Sequence, residues 1–168
     1  MNLPIKQETR DITQAIGDTA EENFMIALYK KGWPFDKSTQ HEDMHHHIDF
    51  WVQSPNNTRR SFDVKAYKKS AKQGNLLIEF KNVSGNKGWL YGKADFIAFD
   101  FNDHFLCVVR SELAQLAESL CDLTQKVDNI NKALYKSYGR ERWGRGDQVS
   151  LIKIEDVKEN LNYFTIEY

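Results

Sequence analysis

Two aspartates and a lysine in one short stretch have the types and spacing for metal-assisted chemistry. Asp49 and Asp63 lie in two segments that alternate apolar and polar residues, and Lys65 follows Asp63 after one intervening residue. Because strand side chains alternate faces, a hairpin over residues 47–66 would place all three on one face. Paired carboxylates bind hard divalent cations, and an ammonium beside them stabilises negative charge. The stretch therefore predicts a cation-dependent site suited to phosphodiester hydrolysis.

The apolar residues of this hairpin fall on its opposite face, where they would anchor it to a core. They are Ile48, Phe50, Val52, Phe62, Val64 and Ala66. The first strand is predicted to run from His47 to Val52 and the second from Arg60 to Ala66. This spacing also places His47 on the face of Asp49, where its imidazole would lie near a bound cation or a phosphate.

Two further acids are candidates for the same site. A helix is predicted from Asp18 to Lys31 by its apolar spacing, and Glu21 lies at the margin of its apolar stripe, where an acid needs a partner. Residues 75–81 alternate as a strand that carries Glu79, an auxiliary ligand or water-positioning group. Pairing Asp49 with Asp63 is the preferred arrangement, because it requires only neighbouring strands joined by a turn.

A salt-bridge cluster is the structural alternative for these charged residues. Lys65 between Asp49 and Asp63 on a solvated sheet face would contribute little to stability and would have no chemical role. An Asp-x-Lys motif is also common by chance. On these residues alone the salt-bridge cluster is the preferred interpretation. What favours catalysis is the likeness of the element order, a helix with an acid before a hairpin with two acids and a lysine, to that of a known family.

This order resembles the PD-(D/E)XK nuclease superfamily, and residues 78–99 look like the corresponding stretch of its small phage-encoded members. The matching positions are Glu21, Asp49, Asp63 and Lys65. The likeness extends from about Asp18 to Val109, and Ile48 stands where the family motif has proline. The resemblance implies an α/β (α+β) fold of the restriction-endonuclease type, with a mixed central sheet flanked by helices.

The resemblance also implies an activity, the Mg²⁺-dependent hydrolysis of phosphodiester bonds in DNA, with Mn²⁺ able to substitute. Lys65 would orient the attacking water or stabilise the transition state, and the implied metal ligands are Asp49, Asp63, the Val64 carbonyl and Glu21. An endonuclease acting on structured or branched DNA is expected, because a chain this short leaves no separate sequence-reading domain. Two alternatives stay open. One is a catalytically silent nucleic-acid or protein-binding module of the same fold, such as a phage counter-defence protein, and the other is an RNA-directed nuclease.

Basic and aromatic residues supply candidate contacts to nucleic acid. The net charge of the chain is −1, yet six basic residues face one acid between Thr58 and Lys72. Such a patch suits a phosphate backbone, although lysines also guard strand edges. The candidate contacts are Lys68, Lys69, Lys72, Trp89, Tyr91, Arg140, Arg142 and Arg145.

The 168 residues are expected to form one nuclease-like domain, with residues 111–168 as a helical and strand extension. No apolar run approaches the roughly 20 residues that span a bilayer, and two cysteines make no disulfide framework. A cytoplasmic location is therefore expected, in the host cytoplasm for a phage-encoded chain. The histidine-rich run 41–47 is not expected to bind zinc, because no second ligand cluster accompanies it.

The C-terminal third begins with a predicted helix from Ser111 to about Leu123. Its apolar spacing either continues through Leu134 as a heptad-like seam or breaks at the polar run Gln125–Asn129. The continuous seam would offer a homodimer interface, which suits an enzyme that cuts two strands. A strand at residues 149–154, a short helix and a closing strand at 163–166 complete the predicted elements.

Overall fold

The protein has a mixed α/β fold built on two β-sheets, seen in a computed structural model that describes residues 19–141 and 144–168. The six strands of the first sheet are, in spatial order, β1 (Phe35–Lys37), β2 (Phe50–Gln53), β3 (Arg59–Lys65), β5 (Phe96–Asp100), β6 (His104–Val109) and β10 (Tyr163–Glu167). The four strands of the second sheet are β4 (Asn75–Lys81), β9 (Gln148–Lys153), β8 (Lys136–Tyr138) and β7 (Asp122–Val127).

Helices cover these sheets and connect their strands. Residues 19–31 form α1, which confirms the predicted first helix over the described part of its range. The other α-helices are α2 (Gln40–His46), α3 (Lys69–Lys72), α4 (Arg110–Leu120) and α5 (Ile154–Asn160). Two short 3₁₀ helices occupy Trp89–Tyr91 and Ile130–Lys132. No helix within the described ranges is long and apolar enough to cross a membrane.

The predicted hairpin is confirmed as an antiparallel pair in which Phe50 of β2 lies opposite Phe62 of β3. On its other side β3 runs parallel to β5. Parallel neighbours need a crossover connection, and here the crossover contains α3, β4 and the first 3₁₀ helix. The same stretch of chain therefore supplies an edge strand of the second sheet and a turn that approaches β3.

Each face of the first sheet packs against a separate core. On one face α1 buries Phe24 against Phe50 and Phe62, with ring centroids 5.3 Å apart in both pairs. The other face carries Ile97 and Phe99 of β5, which pack with residues of β4, β9, α4 and the first 3₁₀ helix. Asp63 and Lys65 pair with Ile97 and Phe99, so the two charged side chains point to this second face.

The segment before β2 differs from its prediction. Residues 41–46 are helical rather than extended, because Thr39 and Glu42 form a capping box with N–H···O distances of 3.2 and 3.0 Å. His47 ends this helix in a left-handed conformation, with φ of 53°. Strand β2 consequently begins at Phe50, and the prediction that His47 and Asp49 belong to the strand is wrong.

The C-terminal third is only partly as predicted. Helix α4 ends at Leu120 and is followed by β7, so the continuous seam to Leu134 is wrong and cannot form a dimer interface. Strand β9, helix α5 and strand β10 agree with their predictions. Because β10 pairs with β6, the C-terminal third completes the edge of the first sheet.

Candidate active site

Asp63 and Lys65 form the centre of the candidate site on the inner face of β3. The Lys65 Nζ lies 2.7 Å from Asp63 Oδ1 and 4.9 Å from the centroid of the Trp89 ring. Asp63 is 2% exposed, whereas 23% of the Lys65 side chain is exposed. The ammonium therefore lies between a buried carboxylate and solvent, held by an ion pair and a cation–π contact.

Asp49 joins them from the turn that precedes β2. Its Oδ2 accepts a hydrogen bond of 2.7 Å from the Val64 N–H, and its own N–H donates to the Phe62 carbonyl at 2.8 Å. These two bonds hold the half-buried carboxyl against β3, beside Asp63. Both predicted acids and the predicted lysine thus meet on one face of the sheet, and the opening to solvent lies at Asp49 and Lys65.

The charges at this site do not balance in the protein alone. Burial, and after it the adjacent Asp63 carboxylate, raise the pKa of Asp49 to about 8 against the opposing effects of the Val64 N–H and Lys65. Burial also raises the pKa of Asp63, which Lys65 opposes. One ammonium compensates only one of two carboxylates, so without a cation Asp49 retains a proton near neutral pH.

The two carboxylates are the groups in this arrangement that could hold a divalent cation. Asp63 Oδ2 is buried and has no hydrogen-bond partner within the described part of the chain. An unpaired buried carboxylate oxygen is costly, and a cation would satisfy it and supply the missing positive charge. No group of three or more His, Cys, Asp and Glu side chains among the described residues could hold a metal ion. Mg²⁺ suits such a sparse donor set, because it binds through one or two carboxylates and keeps several waters.

Glu21 and His47 border the two carboxylates without joining them. Glu21 is close enough to raise the pKa of Asp49, but its Oε2 forms a 3.0 Å ion pair with Lys37. His47 acts electrostatically on Asp63, lowering its pKa. Glu21 would bind a cation only by giving up Lys37, so its role as a ligand stays a prediction, as does that of the Val64 carbonyl.

Glu79 bonds to the backbone of Trp89 and is not among the groups that act on the two aspartates. Its Oε1 accepts a 3.2 Å hydrogen bond from the Trp89 N–H. A Cβ at Gly88 would come within 2.4 Å of the Glu79 carbonyl oxygen, so only glycine allows this close approach. Glu79 and Gly88 together fix the turn that places the Trp89 ring over Lys65, a role that the sequence pattern did not reveal.

Three of the predicted nucleic-acid contacts are lysines in or directly before α3, and all three are exposed enough to contact a ligand. Lys68, Lys69 and Lys72 are all exposed at the end of β3, beyond Lys65. Lys68 and Lys65 line the same small cleft, so this predicted grip adjoins the candidate active site. Their contact with phosphate remains a prediction.

The aromatic and arginine candidates are mostly engaged within the protein. Trp89 is 7% exposed, and its ring packs on Phe99 as well as under Lys65, so the prediction that it stacks on a base is not retained. The Tyr91 hydroxyl donates to Glu118 Oε1 at 2.7 Å. The remaining candidates are Arg140, which is bonded to Asp147, Arg145, which is exposed, and Arg142, which lies outside the described residues.

Comparisons with known proteins do not assign the chain to a family. No protein-family model matches it, and neither curated proteins nor solved structures show significant similarity. The fold class is mixed α/β, and the geometry of Asp49, Asp63 and Lys65 is the observation on which a function can be argued.

Proposed function

We propose that the protein is a metal-dependent nuclease that hydrolyses phosphodiester bonds in DNA. The observation that carries the proposal is the buried pair of carboxylates, Asp49 and Asp63, with Lys65 bound to one of them and one oxygen of Asp63 unsatisfied. A structural salt bridge would not need the second acid. A second carboxyl beside an ion pair, with its pKa raised so that it ionises at neutral pH only when a further positive charge is present, is typical of a cation-binding centre.

The residues of the site have separate roles in this proposal. Asp49 and Asp63 would hold Mg²⁺ or Mn²⁺, and the Val64 carbonyl and Glu21 are further candidate ligands. The bound ion supplies a water of lowered pKa and neutralises charge on the phosphate. Lys65, which is held by Asp63 and Trp89, directs an ammonium at the position where negative charge develops.

The order of elements around the site supports the same class of enzyme. A helix with Glu21 is followed by the antiparallel strands β1, β2 and β3, which carry or adjoin the two aspartates and the lysine. Strand β5 then joins β3 in parallel. This is the order that the resemblance to PD-(D/E)XK nucleases requires, and it supports a restriction-endonuclease-like core.

The test is cleavage of DNA by the purified protein in the presence of Mg²⁺ or Mn²⁺. We expect Lys65→Met to lower the cleavage rate about 10²- to 10³-fold, the usual cost of losing one stabilising donor. Asp63→Ala should abolish cleavage, because the cation loses its buried ligand. Circular dichroism and DNA binding should be retained in both variants.

Lys136→Met is the matched control, since Lys136 is an exposed lysine on β8 of the second sheet. It should cleave at the wild-type rate. Cleavage that survives both Asp63→Ala and Lys65→Met would contradict the assignment of the site. A wild-type protein that binds duplex, junction, flap and single-stranded DNA but cuts none of them would instead indicate a binding module, and cleavage of RNA alone would indicate a ribonuclease.

A further inference from the structure

A second cluster of positive charge lies at the other end of β3 from Lys65. A cleft of about 290 Å³ opens there between the start of β5 and the first turn of α4. Three cationic side chains line it, those of Arg60, Lys93 and Arg110. Arg60 belongs to the basic patch predicted from the sequence, but Lys93 and Arg110 are not among the predicted nucleic-acid contacts, because the three come together only through the pairing of β3, β5 and β6.

The positive charge of this cleft is poorly compensated within the protein. Arg60 and Lys93 are exposed and form no ion pair with any described residue. Arg110 donates from Nε to the Ala94 carbonyl at 2.9 Å and from Nη1 to the Leu90 carbonyl at 3.0 Å. Both acceptors are neutral, so these bonds orient the guanidinium without cancelling its charge.

One carboxylate, that of Asp95, also lines the cleft. Its Oδ2 already accepts hydrogen bonds from the Ser61 N–H at 2.9 Å and from the Ser61 hydroxyl at 3.2 Å. Asp95 therefore serves mainly to join β3 to the start of β5. Three cations against one engaged carboxylate leave a net attraction for an anion with several acceptor oxygens.

We propose that this cleft binds a backbone phosphate of the nucleic acid at a point distinct from the reacting phosphate. The proposal rests on the proposed function in one respect, that the substrate is DNA. Arg110 is oriented in advance by two backbone carbonyls, and a guanidinium fixed in this way suits the oxygens of a phosphate. Arg60 and Lys93 add charge from the rim of the cleft.

The position of the cleft suits a contact along the same strand of substrate. Arg60 precedes Asp63 by three residues on β3, about 10 Å along the strand at about 3.3 Å per residue, and its side chain points to the opposite face, so the substrate would reach it by passing round the end of the strand. Lys93 connects the two regions, because its N–H donates to the His46 carbonyl at 2.8 Å and the next residue, His47, lies beside Asp63. The substrate path therefore runs from the carboxylates past His47 and Lys93 to the cleft.

The salt dependence of DNA binding tests this contact. Binding of a fluorescent 20-bp duplex is measured over a range of salt concentrations with EDTA present, so that cleavage does not interfere. The slope of log K against log salt reports the number of phosphates contacted. We expect the double variant, Arg60→Gln with Lys93→Gln, to reduce its magnitude by about 0.9, the value for one phosphate, and each single variant to reduce it by less.

Arg59→Gln is the matched control, because the neighbouring Arg59 stacks on Trp51 at 5.0 Å and lies 4.0 Å from Asp36. Its slope should equal that of the wild type. An unchanged slope in the double variant overturns the cleft proposal, whatever the cleavage assay shows. If the slope falls in the double variant but the wild-type protein never cleaves DNA, the cleft proposal is retained and the nuclease proposal is rejected.

A second measurement separates a backbone phosphate from a free one. Inorganic phosphate is titrated into the ¹⁵N-labelled protein, and the amide signals of Ser111 and Asp95 are followed. The proposal expects weak shifts that duplex DNA reproduces at far lower concentration. Shifts with inorganic phosphate that DNA fails to reproduce would overturn it, because the cleft would then take a small anion.

Discussion

Two buried aspartates, Asp63 and Asp147, each form an ion pair, but the two pairs are built differently. Asp147 accepts hydrogen bonds from the Arg140 backbone N–H, Nε and Nη2 at 3.2, 2.9 and 2.9 Å. Both of its oxygens are engaged, and one guanidinium matches one carboxylate. Asp63 has a lysine on one oxygen, no partner on the other and a second carboxylate beside it.

The difference separates a carboxylate with both oxygens bonded within the protein from one that is left with an unsatisfied oxygen. Arg140 and Asp147 close the loop between β8 and β9 with a planar, fully bonded contact. Asp63 has no such set of partners among the described residues, since its Oδ2 is buried without a hydrogen-bond partner, and this costs stability unless the adjacent Asp49 carboxyl donates the proton that it retains. Natural proteins accept such a loss mainly where a ligand or a reaction recovers it.

Exchanging each aspartate for asparagine should affect different properties. Asp63→Asn is expected to lower DNA cleavage about 10³-fold and to leave the free energy of unfolding equal or about 1 kcal/mol higher, because one of two adjacent carboxylates is removed. Asp147→Asn should retain cleavage and lose about 2 kcal/mol, because the charged partner of Arg140 is lost. Initial cleavage rates and urea unfolding give the two values.

The comparison would fail if the two variants changed the same property. A loss of stability in Asp63→Asn equal to that in Asp147→Asn would make the first pair structural as well. Asp36→Asn is the surface reference, because Asp36 is exposed.

The stability of the metal-free protein should decrease as pH rises. The folded protein holds the proton of Asp49 up to about pH 8, whereas the unfolded chain releases it near its ordinary pKa of 3.8. Between these values the unfolded state binds fewer protons, so the free energy of unfolding falls by up to about 1.4 kcal/mol for each pH unit. Urea unfolding at several pH values with EDTA measures the slope.

Two comparisons sharpen this pH dependence. Asp49→Asn removes the titrating group, so its stability should vary less between pH 5 and pH 8. Ca²⁺ should raise the stability of the wild type at pH 8, because a cation favours the ionised carboxyls of the folded state. A wild-type stability that is flat over this pH range would show that Asp49 is already ionised in the metal-free protein.

The smallest expected effect concerns Trp89, which links the second core to the lysine. Trp89→Leu removes the cation–π contact, worth about 1 kcal/mol, and should lower kcat about fivefold with KM little changed. Trp89→Phe keeps an aromatic face and should retain most of the rate. An equal loss in both variants would indicate that packing on Phe99, not the contact with Lys65, is what matters.

The alternating pattern of the hairpin predicted the main features of the site, because side-chain alternation is a local property. Phe62 and Val64 are buried on one face, and Asp63 and Lys65 point to the other. Asp49 reaches the same place although it precedes the strand, since the Val64 N–H binds its carboxylate. The convergence of the three charged side chains was therefore predictable, while the way in which Asp49 is positioned was not.

Two errors in the predicted helices have identifiable causes. The sequence contains the capping signal Thr39-x-x-Glu42, which indicates a helix at this point, but the prediction for the histidine run considered only metal binding. The apolar spacing after Leu120 fits a helix, yet residues 122–127 pair with β8 as a strand. Pairing between distant strands overrides local periodicity, so this second error could not be avoided from one sequence.

Other features of the site depend entirely on tertiary structure. The ion pair between Glu21 and Lys37 and the approach of Gly88 to Glu79 each bring together two different elements. The unsatisfied oxygen of Asp63 depends on everything that packs around it. The cationic cleft is the clearest case, because Arg60 lies on β3, Lys93 in the connection before β5 and Arg110 at the start of α4. Nothing in the local sequence of Lys93 and Arg110 distinguishes them from ordinary surface charges.

The crossover between β3 and β5 makes the support of this site depend on a strand that lies far along the chain. Asp49, Asp63 and Lys65 precede the crossover, but β4 within it pairs with β9, which follows α4, β7 and β8. Until β9 leaves the ribosome, β4 lacks this partner and the turn bearing Trp89 lacks its support. A nascent chain that has not reached β9 therefore carries the two aspartates and the lysine without the second sheet that positions Trp89.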